Sequence, residues 1–366
     1  MLTKIFKPKC YTPIIILSIS IILLSCDTAH DPVNGPVSEW ESLGFEDKEI
    51  MRMKLYGSYL YVGTHHHGLW RLNIETGDLN WEHLGPDFTE YSGGERLQGI
   101  DVYNGVITVG FRNPVRIDED TRTGIWRSYD DGKTWEPADS GIKSWSASFD
   151  IIRSPYNPEI MLAGKTPRLF RSVDGGLSWT KIGRDPIILN LRFTWHPSEP
   201  DYVFWHGEGP WGAFLIISFD KGITSEWAPA IGGRLSSLNY IAFDAEDNDI
   251  MYFSIGRNGL YKTEKGLDYL INPVEYPELI IDGRADAVVT HPSQPGVFFA
   301  GCGFLCLSDD YGSTIYKESF PDLDRGVIRE LVYDESSNTL YASWSKGGIY
   351  LLHDPFNAEL TLYGIE

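Results

Sequence analysis

One eight-residue pattern recurs along this chain and limits its fold more than any other feature. Ser128-Tyr129-Asp130-Asp131-Gly132-Lys133-Thr134-Trp135 returns as Ser172-Val173-Asp174-Gly175-Gly176-Leu177-Ser178-Trp179. A third copy, Ser218-Phe219-Asp220-Lys221-Gly222-Ile223-Thr224, has Trp227 displaced by an insertion, and a fourth runs from Ser308 through Asp310 to Thr314. Degenerate versions stand at Glu75/Gly77/Trp81 and Glu264/Gly266/Tyr269. The glycines of these six boxes are 55, 44, 46, 44 and 46 residues apart. Gly348-Ile349-Tyr350-Leu351-Leu352 reads as a seventh unit that keeps a strand and has lost the box. A period of this length, built from strand-forming residues, points to blades.

Each box follows a short apolar strand, such as Gly124-Ile125-Trp126-Arg127 or Gly259-Leu260-Tyr261-Lys262. Two more strands lie upstream, joined by turns such as Ser154–Pro158, His196–Pro200 and His291–Pro295. Counting the strand that begins at the box Trp, each unit has four strands in about 45 residues, the size of a propeller blade. One blade cannot bury both its faces, so the expected fold is all-β, a closed seven-bladed propeller with four antiparallel strands per blade over residues 39–366. Two segments compete to close the ring. Trp40–Gly44 resembles the outer strand Trp81–Gly85, and Ala358–Tyr363 fits the same slot in the last blade. Either one ties the chain's ends together and leaves no long edge open.

The Ser-x-Asp-x-Gly-x-Thr-Trp signature resembles the Asp-box (BNR) repeat of sialidases, sortilin-type receptors, xyloglucanases and photosystem II assembly propellers. The resemblance covers nearly all of residues 40–366. It implies a propeller, and because the repeat supports both catalysts and binders it implies no single activity. In physical terms the box is a clamp on a hairpin: the carboxylate accepts turn N–H bonds, Gly supplies a positive φ, and Trp packs beneath the turn. Asp130, Asp174, Asp220 and Asp310 are therefore expected to be structural, on turns that the family places opposite its ligand face.

Residues 1–25 read as a targeting segment, with Lys4, Lys7 and Lys9 ahead of an apolar run from Ile14 to Leu24. Leu23-Leu24-Ser25-Cys26 resembles the lipobox of bacterial lipoproteins, which implies cleavage before Cys26 and a lipid on its thiol. Residues 26–38, with Pro32, Gly35 and Pro36, then form a tether. The expected address is the bacterial cell envelope, lipid-anchored, facing the periplasm or the surface.

The chain carries 31 Lys+Arg against 51 Asp+Glu, a formal charge of −20. That excess argues against nucleic acid, whose phosphates require a basic footprint. It also makes any gathering of cations informative. Loops between second and third strands hold His65, His66, His67, Arg112, Lys165, Arg168, His206, Glu208, Trp211 and Arg257, and loops between blades hold Arg96, Trp145, Arg234, Arg284 and Arg325. Both sets share the face opposite the boxes. Arg96, Arg234, Arg284 and Arg325 lie at the start of innermost strands in four blades, where their fields add around a funnel. The competing reading pairs them with Glu95, Asp282, Asp286 or Asp324.

Three smaller features remain. Strand alternation would converge His65 and His67 as weak metal-ligand candidates with His66 pointing away. Trp145, Trp205 and Trp211 offer flat surfaces to a ligand or pack as wedges between blades. Cys302 and Cys306 flank a tight turn, as a disulfide or as two buried thiols. The leading functional expectation is a monomeric, non-catalytic binder of an envelope protein or an acidic glycan, with no cofactor. The alternative is a glycoside hydrolase. Phe111-Arg112-Asn113-Pro114 resembles the sialidase Arg motif, but it follows a second strand and has Asn where the family has Ile.

Overall fold

A computed structural model describes residues 40–86, 96–116, 122–142, 150–165, 168–183, 189–209, 212–228, 237–271, 277–318, 326–357 and 360–362. Residues 1–35 form a unit separate from Pro36–Glu366, and everything described belongs to the second. Seven antiparallel sheets follow one another along the chain, six with four strands and one with five. This is a seven-bladed β-propeller. The innermost strands are Ile50–Tyr56, Leu97–Tyr103, Asp150–Arg153, Leu189–Trp195, Tyr240–Phe243, Val288–Thr290 and Ile328–Asp334.

The second strands are buried on both faces because each blade packs between two others. Tyr59–Thr64 and Phe298–Gly301 are almost fully enclosed, and the Tyr252 and Phe298 rings of adjacent blades meet at 4.8 Å. Closure is made by the N-terminal candidate. Glu41–Gly44 pairs with Ile349–His353 as the outer strand of blade seven. The C-terminal candidate goes elsewhere: Thr361–Leu362 adds a fifth strand to blade six, against Tyr316–Glu318.

The box is a hydrogen-bonded clamp. In blade two Ser128 Oγ accepts the Gly132 N–H (2.8 Å), while Asp130 accepts the Thr134 N–H (2.8 Å) and hydroxyl (2.6 Å). Blades three and four repeat both halves through Ser172/Asp174 and Ser218/Asp220, and blade six repeats the backbone bonds through Ser308/Asp310. Gly132 has φ +86°, and a Cβ there would strike Leu84. The bonds from Thr134 hold the Asp130 carboxyl at about 2.

The box Trp does more than pack. The Trp81, Trp135 and Trp179 indoles donate to Leu43 O, Leu84 O and Ala138 O at 2.7–2.8 Å, each in or just past the outer strand of the preceding blade. They lace the ring's circumference. Blade five replaces the box turn with a short helix, Gly266–Ile271, that buries Tyr269.

Candidate functional site: a guanidinium-lined mouth

Turns from first to second and from third to fourth strands lie at one end of every blade, the box end. The other connections lie at the opposite end, where innermost strands begin. There the channel opens into a cavity of about 400 Å³ lined, among the described residues, by Arg52, Arg96, Arg112, Arg192, Arg284 and Arg329 and by the carboxylates Glu49, Asp286 and Glu330. Among the described residues six guanidiniums face three acids, on a chain of net charge −20.

The floor is a knot of charges from the innermost strands. Glu330 in blade seven accepts hydrogen bonds from Arg192 of blade four (2.6 Å) and Arg52 of blade one (3.2 Å). Arg52 also lies 3.7 Å from Asp150 of blade three. The Arg192 guanidinium sits 4.0 Å over the Tyr240 ring of blade five. Burial would raise the Glu330 carboxyl, but Arg192 and Arg52 outweigh it and hold it below its ordinary range. For Asp150, farther from its partner, burial wins and the carboxyl is raised. Beneath lies a second cavity of about 270 Å³ that shares Arg52, Arg192 and Glu330.

The rim is looser. Arg329 pairs with Glu49 at 2.6 Å, and Glu49 bonds His65 Nδ1 at 3.0 Å. Arg96 Nε donates to His65 Nε2 at 3.4 Å, and burial lowers the His65 pKa. Arg284 is paired with Asp286, which Asn239 also bonds. Arg112 hangs beside Arg96, its backbone N–H on Arg96 O (2.8 Å). Among the described residues, no carboxylate lies within ion-pair distance of Arg96 or Arg112.

Of the residues expected at this face, Arg96 and Arg284 line the mouth. Arg284 is not a free cation, because Asp286 lies two residues away and faces it. His206 does not reach the mouth. It sits mid-strand, 1% exposed, bonded to Leu238 O (3.1 Å) and Thr194 (3.0 Å), and burial drives its pKa to about 3. It forms the wall of the lower cavity. Glu208 is half-buried near the end of the same strand, and Arg257 is exposed on a mouth-end turn of blade five. Arg234, Arg325, Trp145 and Trp211, and the side chain of Lys165, lie outside the described residues. Trp205 is fully buried, a wedge between blades.

The histidine pair does not converge as expected. The strand ends at Thr64 and His66 has φ +73°, so the chain turns where alternation had been assumed. His65 instead stacks on His66 with ring centroids 3.8 Å apart, and no cluster of metal-holding side chains occurs among the described residues. Cys302 and Cys306 are free thiols; burial and a hydrogen bond with Cys306 push the Cys302 thiol well up.

Sequence reasoning missed Arg52, Arg192, Arg329 and Glu330, because it looked for function in loops. The signal was available in the alternation of the innermost strands. In Ile50-Met51-Arg52-Met53-Lys54 the odd apolar residues cannot explain two cations at period two.

No protein-family model matches the chain, and no curated protein matches it in sequence. Solved structures do match in shape. YCF48 from Cyanidioschyzon merolae is 13% identical with a TM-score of 0.61, over 87% of this chain and 99% of that one. YCF48 bound to D1 peptide gives 0.60 at 12% identity, over 86% and 94%. The Niastella koreensis GH74 enzyme gives 0.57 at 12%, over 86% of this chain but only 44% of that one. These are likenesses of fold.

Proposed function

We propose that this chain is a lipid-anchored envelope propeller of the Asp-box repeat class. Its mouth binds an acidic segment of another envelope protein. One observation carries the reading: Arg96 and Arg112 line a cavity whose described residues are richer in guanidinium than carboxylate, and no described acid lies within ion-pair distance of either. Guanidinium groups hold carboxylates bidentately, and a narrow cavity with low-dielectric walls strengthens their field. The overall acidity repels anions elsewhere and leaves this entrance attractive. That a propeller of the same shape binds a peptide supports the reading. An acidic glycan offers the same chemistry.

Hydrolysis of a glycoside needs two carboxylates at liberty, one of them protonated. In this mouth Glu49 holds Arg329, Asp286 holds Arg284, and Glu330 holds Arg192 and Arg52; Asp150, in the cavity beneath, pairs with Arg52. That arrangement favours a binder.

Arg112→Ala is expected to weaken binding of an Asp/Glu-rich peptide about tenfold, which is about 1.4 kcal/mol, and to flatten its salt dependence. Fluorescence anisotropy across ionic strengths measures both, and unchanged affinity would remove the mouth from the account. The anchor has its own test. Cys26→Ala should move the protein from the membrane fraction to the soluble one, and persistence in membranes after a salt wash would refute lipidation there.

A further inference from the structure

A cavity of about 830 Å³ lies away from the mouth, at the box end between blades six and seven. That volume is within the roughly 300–1,000 Å³ range of ligand pockets. Blade six supplies His291 from its first-to-second turn, Asp309 from its box turn and Tyr316 from its outer strand. Blade seven supplies Tyr333, near the end of its innermost strand, and Glu335 from the turn that follows. The last wall comes from the C-terminal segment. It forms the short helix Pro355–Asn357 after blade seven, joins the edge of blade six at Thr361–Leu362, and brings Phe356 to the cavity.

His291 is 4% exposed, and its turn takes only one of the ring nitrogens. Nδ1 accepts the N–H groups of Ser293 (3.2 Å) and Gln294 (3.1 Å), so in the neutral ring the proton is on Nε2. Burial lowers the His291 pKa and keeps the ring neutral. Nε2 has no partner among the described residues, which leaves its N–H as a donor to the cavity that His291 lines. His196 caps the matching turn of blade four in the same way, on Ser198 and Glu199 N–H, with the Phe243 ring 4.9 Å from its own. In blade seven Tyr333 stands in the place of Phe243, 4.8 Å from the His291 ring.

The aromatic surface is held in place without a ligand. Tyr333 stacks on Phe299 at 5.2 Å, and its hydroxyl donates to Asn338 Oδ1 (2.6 Å), whose Nδ2 donates to Asp354 (2.6 Å). Phe356 packs on Phe299 at 5.5 Å, and Tyr316 is paired on both sides, with Leu307 and Leu362. Carboxylates stand around these rings. Asp309 is exposed and makes no hydrogen bond or ion pair among the described residues; the clamp of this box uses Asp310 instead. Glu335 accepts the Ser293 hydroxyl through Oε1, which leaves Oε2 without a described partner.

We propose that this cavity binds a neutral sugar unit of a glycan, at a site separate from the mouth. A sugar hydroxyl both donates and accepts, so one ring can accept from His291 Nε2 and donate to Asp309 and Glu335 while its C–H face lies on the aromatic rings. An alkylammonium would suit the carboxylates and the rings but offers the His291 N–H no acceptor. An acidic sugar would meet two carboxylates, with no Lys or Arg among the described lining residues to offset them.

The test screens the full chain against immobilised neutral, acidic and amino oligosaccharides, and titrates those retained by calorimetry. The expected result is retention of a neutral oligosaccharide, with binding about tenfold weaker or more in Asp309→Ala and in Glu335→Gln. The melting curve of Asp309→Ala should stay unchanged, because the residue is exposed and outside the clamp. Arg96→Glu with Arg112→Glu alters only the mouth and should leave sugar binding intact, so the two sites fail separately. Tetramethylammonium chloride at matched ionic strength should not compete. Retention of no neutral oligosaccharide overturns the proposal, as does competition by tetramethylammonium. Sugar binding that survives in Asp309→Ala and Glu335→Gln, or that is lost in the mouth variant, overturns it equally.

Discussion

Replacing Glu330 by Gln is expected to destabilise the ring by about 3–5 kcal/mol, the cost of breaking a buried ion-pair network from one side. The substitution keeps the shape and removes the charge. It leaves the Arg192 and Arg52 guanidiniums facing a neutral amide, with Asp150, 3.7 Å from Arg52, as the one described carboxylate still paired with either. The pH dependence should change with it. The Glu330 pKa is lowered on folding from 4.5, so its contribution is present above that value and is lost as pH falls through the folded pKa. Asp150 has the opposite sign, since its raised carboxyl favours folding at low pH and loses that as pH rises through the folded value. The wild type should therefore lose stability on acidification below about 4.5, and Glu330→Gln should lose less. Urea melts at a series of pH values read both effects. A variant as stable as wild type at neutral pH would mean that the knot is not structural.

Trp179→Ala is expected to cost about 3–5 kcal/mol, the range for emptying a large buried aromatic site. Trp179 is 3% exposed and its indole bonds Ala138 O across a blade boundary, so both a cavity and an unpaired carbonyl result. Trp227→Ala tests the same motif position with the opposite expectation. Displaced by the insertion in its box, Trp227 is 59% exposed, and its loss should change stability by no more than about 0.5 kcal/mol. Thermal melts of the two variants side by side distinguish lacing from mere presence of the motif. Equal shifts would contradict it.

The fold was legible because its information is local and repeated. The Ser–Asp–Gly clamp at Ser172–Ser178 closes by bonds within five residues, so its spacing along the chain reports blade number directly. Ring closure was less legible. Trp40–Gly44 and Ala358–Tyr363 have similar strand character, and the choice depends on pairing with Ile349–His353, a contact about three hundred residues from Trp40. The site was half legible for the same reason. Arg96 and Arg284 could be assigned to the mouth by strand order alone. The neutralisation of Arg284 by Asp286 and the burial of His206 depend on side-chain direction, which the residue sequence of a loop does not specify. The knot of Arg52, Arg192 and Glu330 joins strands up to 278 residues apart; the cations at period two in Ile50–Lys54 mark a charged strand face, but which partners they meet is not written locally.

The central claim is that recognition occurs at the mouth through unneutralised guanidinium. The direct measurement is a charge reversal, Arg96→Glu with Arg112→Glu, titrated against one Asp/Glu-rich and one Lys-rich peptide of equal length. Neither side chain holds a described carboxylate, so the melting curve should stay close to wild type. The account predicts loss of at least a hundredfold in affinity for the acidic peptide, about 2.7 kcal/mol, with a gain for the basic one. Undiminished binding of the acidic peptide by this folded variant would contradict it.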